Sequence, residues 1–331
     1  MIRRSAAAAV GSPLLYLTTF LIACLIYFSV ANEYFGNWTN FKTIGAGAAG
    51  LGVVAIGVTV ALAVGSIDFS VAGNLALCGV LAGKFSGHVP GGLVIVIVLL
   101  VAMLVGGLNG AIITRFGVNP FIMTLAAAGS LRGIAFVIGG SSAGAQLDSS
   151  AVRWLGQGKL ATIPVSLILL LVATAIALWL LRSMPLGRNL LAVGGNVEAG
   201  RLAGLPVKRL QVVGYVVSAL GAGLGGLIIA ARTGTGLPAA AESQELLIFS
   251  AVILGGTSLW GGRASAVGSL LGILLINVLY DGLTLQQVSS YWQTILQGIL
   301  LILAVLLVQQ KQEGRDPVSL IRSLVARAQQ P

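Results

Sequence analysis

Charged side chains are scarce in this 331-residue sequence, making up 8% of it, where a soluble domain carries about a quarter. With 57% hydrophobic residues and a mean hydropathy of +0.99, most of its surface must face lipid or other helices. A water-exposed globular surface is excluded. Histidine is nearly absent: His88 stands alone beside Pro90, so no imidazole relay or His-rich metal set can form. Cysteine is limited to Cys24 and Cys78, both inside apolar stretches, which excludes a disulfide framework and any Cys/His metal pattern. There is no G-x-x-x-x-G-K-[ST] phosphate loop, so the chain has no ATP site of the usual kind. It also lacks the set of mid-membrane carboxylates that Na⁺ or H⁺ coupling calls for. No pairing of nucleophile with base appears, so an enzyme is not expected. The formal charge of +10 is spread over short loops, a membrane-topology pattern rather than a nucleic-acid footprint.

What is abundant is apolar length. A bilayer span needs about 20 mainly apolar residues. That rule predicts an all-α polytopic membrane bundle of ten spans, at 13–32, 46–66, 70–86, 92–114, 120–139, 161–181, 210–231, 245–260, 265–282 and 290–309. The first is read as an uncleaved helix, because the small residues Ala6–Ala9 precede its apolar core rather than follow it. An even count puts both termini on one side, taken as cytoplasmic. Thirteen of the nineteen Lys and Arg residues then lie inside, five (Lys42, Lys84, Arg153, Lys159, Arg232) lie outside, and Arg132 falls within a span. One transmembrane domain fills residues 1–331, with a polar loop at 182–209 and a basic cytoplasmic tail at 310–331.

Glycine is the other abundance, at 46 residues. Runs such as Gly45-x-Gly47-x-x-Gly50-x-Gly52 and Gly221-x-Gly223-x-Gly225-Gly226 let helix backbones approach closely. Each of two Gly/Ala-rich helices is followed by a polar break (66–70 and 232–236), which hints at an internal repeat of the kind many transporters have. The segment 140–160, with Asp148, Arg153 and Trp154, suits a small amphipathic helix.

The loop at 182–209 is the only long polar interruption, and it holds Arg182, Arg188, Arg201, Lys208 and Arg209. Within it a short helix is expected over 196–205. Asn196 suits its N-cap, Glu198 sits where the helix dipole favours an anion, Gly204 can end it and Pro206 blocks continuation. A chain without its own energy source must take force from another polypeptide, and this exposed helix is where force can enter.

Polar residues inside the apolar stretches are the candidates for a solute path or gate. Asp68 and Ser70 open the third span, either as a helix cap or as a hinge contact. Arg132 has no acidic neighbour in sequence, so it either pairs with carbonyls or faces a wet cavity. Asn74, Asn109, Asn119 and Asn277 serve either interhelical hydrogen bonding or a polar path. Asp281, Glu242 and Glu245 are expected to be solvated.

Four blocks carry a family resemblance: GSIDFSVAG (65–73), NGAIITRFGVNPFIMTLAAAGSLRG (109–133), GRNLLAVGGNVEAGRLAGLPVKR (187–209) and residues 245–283, with the run Gly255-Gly256-Thr257-Ser258-Leu259-x-Gly261-Gly262-Arg263. In this order they resemble the permease subunits of ribose-type monosaccharide ABC importers, over residues 45–308. The departures are Phe69, where the family usually has leucine, and Ala72, where glycine is common. The resemblance implies a multi-pass protein of a bacterial inner membrane, working as a dimer of permease chains. Its implied partners are a cytoplasmic ATPase with two nucleotide-binding domains, which would hold ATP and Mg, and a periplasmic sugar-binding protein. No cofactor is expected on this chain. The resemblance further implies that Gly195, Asn196, Glu198, Ala199, Arg201, Leu202, Ala203, Gly204, Leu205 and Pro206 form a coupling helix seated on the ATPase. The passage is expected on the dimer axis, near the second and fifth spans and the polar breaks. Other readings stay open: an ABC permease for a non-sugar solute such as a nucleoside, polyol or branched amino acid, or an ion-coupled secondary transporter using Arg132 and Asp68.

Overall fold

The computed structural model describes residues 13–140, 144–240, 242, 244–296, 298, 299 and 302. The tail at 310–331, the Ala6–Ala9 run and residues 303–309 of the tenth predicted span lie outside the described residues; residues 290–296 of that span are helical. In chain order the helices are α1 Pro13–Ala31, α2 Trp38–Ala63, α3 Val71–Phe85, α4 Gly91–Phe116, α5 Pro120–Gly139, α6 Ser150–Gln157, α7 Val165–Ser183, α8 Pro185–Gly195, α9 Val197–Leu202, α10 Val207–Thr233, α11 Gln244–Leu254 and α12 Ala266–Leu285. Seven of them (α1, α2, α4, α5, α7, α10 and α12) are long and apolar enough to cross a membrane. Two small antiparallel ladders join loops: β1 Ala145–Gln146 with β4 Thr235–Gly236, and β2 Lys159–Leu160 with β3 Ile163–Pro164.

The bundle is built around α2 and α10, and small residues are the reason. A Cβ on Gly57 would fall 2.9 Å from the carbonyl oxygen of Val217, and one on Gly221 would fall 3.0 Å from that of Val53. The two backbones therefore touch, as Gly-rich helices do in membranes where dispersion contacts drive packing. The remaining glycines of α10 face α2, α3 and α4 in turn: Gly225 meets Val54 and Gly50, Gly226 meets Leu75, and Gly223 meets Ala102. The glycine runs thus pack helices together. Of the two spans expected near the passage, the apolar window of α2 is 83% buried within the chain and that of α5 only 22%.

The third and eighth predicted spans are half-length. α3 is 15 residues long and α11 only 11. α11 stops at Leu254 because Gly256, Gly261 and Gly262 adopt φ of +88°, +92° and +74°, a region closed to most other residues. In the irregular stretch from 255 to 265, Gly255, Thr257 and Ser258 are buried while Trp260 and Arg263 are exposed, and local hydrogen bonds hold the turn. Ser258 N donates to Arg263 O at 2.9 Å and Ser265 N to Thr257 Oγ1 at 3.1 Å. The second span starts earlier than its apolar run, at Trp38, because Asn37 caps it by accepting from Thr39 N at 3.0 Å. In that first turn Asn40 Nδ2 donates to Asp281 at 2.6 Å, so Asp281 is a partner in a helix–helix contact rather than a solvated end.

Residues 150–157 form the expected amphipathic helix: α6 buries Val152, exposes Trp154 and packs on α10.

Candidate functional site

The segment 182–209 folds as two helices, and sequence reasoning anticipated one. α8 begins with Pro185 in its first turn and buries Leu190 and Val193 among Ala63, Val64, Leu181 and Leu210. α9 follows after Asn196, whose backbone is extended (φ −158°, ψ 106°) and whose Oδ1 accepts from Ala199 N at 2.9 Å. This is the expected N-cap. At the other end Gly204 takes φ +78°, Leu205 N donates to Gly200 O at 3.0 Å, and Gly204 N donates to Arg201 O at 3.0 Å. That pair of bonds satisfies the last carbonyls of the helix, and Pro206 then prevents its extension. Glu198 and Arg201 form an exposed ion pair at 2.6 Å, Ala199 lies between them on the same short helix, and Leu202 is 79% exposed. Leu205, in contrast, leans into the cluster beneath the hairpin. A large apolar side chain held in water on a doubly capped helix is an unpartnered contact surface.

The hairpin is bolted to the bundle through glycine. Gly194 lies so close to Ala63 O and Gly262 N that any side chain would displace one of them, and Gly262 N donates to Ala63 O at 3.1 Å. A Cβ on Gly262 would stand 2.7 Å from Gly195 Cα. The end of α2, the 255–265 stretch and the end of α8 therefore meet backbone to backbone. Gly195 is exposed and is the last residue of α8, next to this junction, rather than a residue of α9.

Immediately after α2 the chain enters residues 64–70, where several polar candidates converge. Asp68, Ser70 and Asn74 are wholly buried and Asn109 nearly so. Asp68 Oδ1 accepts from Ser70 N at 3.0 Å and from Ser70 Oγ at 2.5 Å, and Asn109 Nδ2 donates to Ser70 Oγ at 3.0 Å. Asp68 thus closes a turn ahead of α3 and ties it to α4, instead of capping α3 in solvent. Its Oδ2 faces the Ser218 hydroxyl of α10, a polar contact outside ideal hydrogen-bond geometry. Asn74 serves packing: its Nδ2 donates to Ala219 O at 3.3 Å. The aromatic ring of Phe69 stacks on Phe249 of α11, with ring centres 4.4 Å apart, and meets Phe121 of α5 edge-on at 5.2 Å. Its backbone N–H donates to Thr124 Oγ1 at 3.1 Å. One break thereby touches α4, α5, α10 and α11.

Arg132 does have an acidic partner, and it is one expected to be solvated. Its Nη2 lies 3.8 Å from Glu245 Oε2, with the two side chains 24% and 17% exposed. Arg132 Nε and Nη2 and Glu245 Oε2 make no hydrogen bond. The remaining candidates lie elsewhere. Asn119 is exposed and caps α5, accepting from Phe121 N at 2.9 Å, so its role is local. Asn277 donates to Ile273 O at 2.9 Å, and its Oδ1 lies with the Arg232 guanidinium over Gly47, far along α2 from Asp68. Sequence reasoning missed Ser218, Thr124 and the Gly194–Gly262 junction, and it set Glu245 on a solvated face. Only the glycines left a signal, as the run at 255–262.

Two comparisons bear on this architecture. Residues 40–305 match the family described as branched-chain amino acid transport system / permease component. The chain is 35% identical to the ribose import permease protein of Haemophilus influenzae, over 86% of this chain and 90% of that one. It is 36% identical to the ribose import permease protein of Bacillus subtilis, over 88% and 91%. It is also 35% identical to an L-arabinose ABC transporter permease protein of Azospirillum brasilense, over 80% and 78%. No solved structure matches it. The resemblance carried by the four sequence blocks is borne out, and so are the helical bundle and the inner-membrane location. A polytopic bundle with a capped, outward-standing α9, matched along most of its length to transport permeases, leads to one conclusion: the chain belongs to the branched-chain amino acid transport system / permease component family.

Proposed function

We propose that this chain is the transmembrane subunit of an ATP-driven importer that passes a monosaccharide into the cell, with a separate ATPase subunit as its motor. The observation that carries the substrate class is identity of 33–36% over at least 78% of the chain to permeases named for ribose and L-arabinose. The family description names branched-chain amino acids, but the relatives aligned nearly end to end are sugar permeases. The partners on this reading are a second permease chain, identical or paralogous, an ATPase with two nucleotide-binding domains and a periplasmic sugar-binding protein.

The geometry supports a coupling route. α9 offers Glu198, Arg201 and Leu202 to the ATPase. Displacement of α9 bears on α8 through Gly200 against Val193, and on the end of α2 and the 255–265 stretch through Gly194. From α2 the next element is the 64–70 break, which grips α4 through Ser70, α5 and α11 through Phe69, and α10 through Ser66. These contacts are discrete packed interfaces, the kind of element that switches between arrangements. In a dimer, the exposed face of α5, where Gly129 and Gly133 have open space around them, is the better choice than α2 for lining the passage.

The test is co-reconstitution with the ATPase and the binding protein. Glu198→Ala and Leu202→Asp are expected to abolish most sugar uptake while leaving membrane insertion intact. Normal uptake by both variants would overturn the coupling assignment. Sugar uptake by this chain alone, without nucleotide, would overturn the whole reading.

A further inference from the structure

Beside the hairpin, a groove of about 460 Å³ runs between the last turns of α4 and the first turns of α10. Ala111, Val212 and Val213 form its floor, and Arg115, Lys208 and Arg209 border it. All three cationic residues are exposed. Among the described residues none has an acidic partner: the ion pairs there are Arg132–Glu245 and Arg201–Glu198. Thr114 also borders the groove, but its hydroxyl is spent on Gly110 O at 2.8 Å.

We propose that this groove binds one anionic phospholipid, its phosphate held among Arg115, Lys208 and Arg209 and an acyl chain lying along Ala111, Val212 and Val213. Three features select that occupant. The walls are the end turns of two helices long and apolar enough to cross a membrane, which is the level of lipid headgroups. Long cationic side chains at helix ends lay their stems on apolar surface and keep their charge at the headgroup level. Unpaired positive charge over an apolar floor complements a molecule that is anionic at one end and hydrocarbon at the other, and basic pockets between transmembrane helices hold such headgroups. A free phosphate would leave the floor empty.

The site also has mechanical reach. Asn109, which grips the Asp68 turn, lies just before Ala111 on α4, and Lys208 follows the proline that closes the coupling hairpin. A lipid bridging α4 and α10 there braces the base of the hairpin. The proposal does not depend on the identity of the transported solute.

The experiment uses the full chain in nanodiscs of phosphatidylcholine with or without one-fifth phosphatidylglycerol, followed by mild detergent extraction and native mass spectrometry. Phosphatidylglycerol is expected to remain bound and to raise the midpoint of thermal unfolding. With each cation near the surface contributing separately, Arg115→Gln/Lys208→Gln/Arg209→Gln is expected to weaken retention on the order of a hundredfold. Val212→Trp fills the groove with the charges intact and is expected to lower retention as well. Equal retention by the parent and the triple variant overturns the proposal. So does loss on charge removal with none on Val212→Trp, since that marks diffuse attraction. Full stabilisation by inorganic phosphate alone reduces the site to an anion site and also overturns it. Unchanged lipid retention with weakened ATPase binding assigns the cations to the ATPase instead.

Discussion

Asp68 is a carboxylate sealed from water with one oxygen fully engaged by Ser70 and the other facing the Ser218 hydroxyl. Its engaged oxygen does structural work that an amide oxygen can also do. Asp68→Asn is therefore expected to keep the fold, because Ser70 N and Oγ still find an acceptor. Asp68→Ala strands both donors in a buried site, at a cost of about 1–3 kcal/mol. Thermal unfolding in detergent separates the two: the alanine variant should melt clearly lower and the asparagine variant close to the parent. Equal loss in both would show that the charge, not the turn, is what the site needs. Arg132 and Glu245 pose the complementary case. Breaking a partly buried ion pair leaves an uncompensated charge, and removing both charges is the milder change. Arg132→Met and Glu245→Gln singly are expected to lower stability more than the double variant does, with a coupling energy on the order of 1 kcal/mol in a double-mutant cycle. Additive losses would mean that the two groups, 3.8 Å apart, do not feel each other.

At the scale of elements, the glycine junction under the hairpin makes a sharp prediction. Gly262 and Gly117 both sit at positive φ, +74° and +68°. A methyl group at Gly117 meets nothing within 4 Å, whereas at Gly262 it lands 2.7 Å from Gly195 Cα. Gly117→Ala is expected to show only backbone strain of about 1 kcal/mol. Gly262→Ala adds overpacking of about 1–3 kcal/mol and should loosen α8 and α9 selectively. Amide exchange across residues 185–205 measures this, and equal exchange in the two variants would refute the junction's role. The same elements show where the sequence was legible. The long spans could be read because apolar length is a local property, and α9 because capping residues lie within a few positions of one another. α8 escaped notice because its apolar residues Leu186, Leu190, Leu191 and Val193 are split by Gly187-Arg188-Asn189 and followed by Gly194-Gly195, well short of a membrane span. The end of α11 at Leu254 was overrun by a span drawn to length, because Leu259 and Trp260 follow Gly255-Gly256-Thr257-Ser258, where glycine conformation ends the helix. Arg132 and Glu245 are 113 positions apart, and no local pattern links them.

For the whole molecule, the deciding property is which way the hairpin faces. Thirteen of the nineteen Lys and Arg residues fall on the side assigned as cytoplasmic, and five on the other, an asymmetry that sets orientation in short-looped membrane proteins. The structure brings the hairpin, Arg115 and the 255–265 stretch to one end of the bundle, and Lys42, Lys159 and Arg232 around a cavity at the opposite end. The two native cysteines, Cys24 and Cys78, are both buried, so the chain carries a quiet background for thiol labelling. Leu202 on α9 is 79% exposed and Leu160, in β2 at the far end, 51% exposed. In cells whose inner membrane is intact but whose outer layers are open, an impermeant maleimide is expected to label Leu160→Cys and to spare Leu202→Cys. Permeabilising the membrane should bring Leu202→Cys to full labelling, and adding the ATPase subunit should then protect it. The reverse pattern would put the hairpin outside the cell, beyond reach of any cytoplasmic motor. Labelling of Leu202→Cys from inside without protection by the ATPase would keep the orientation but move the coupling contact elsewhere.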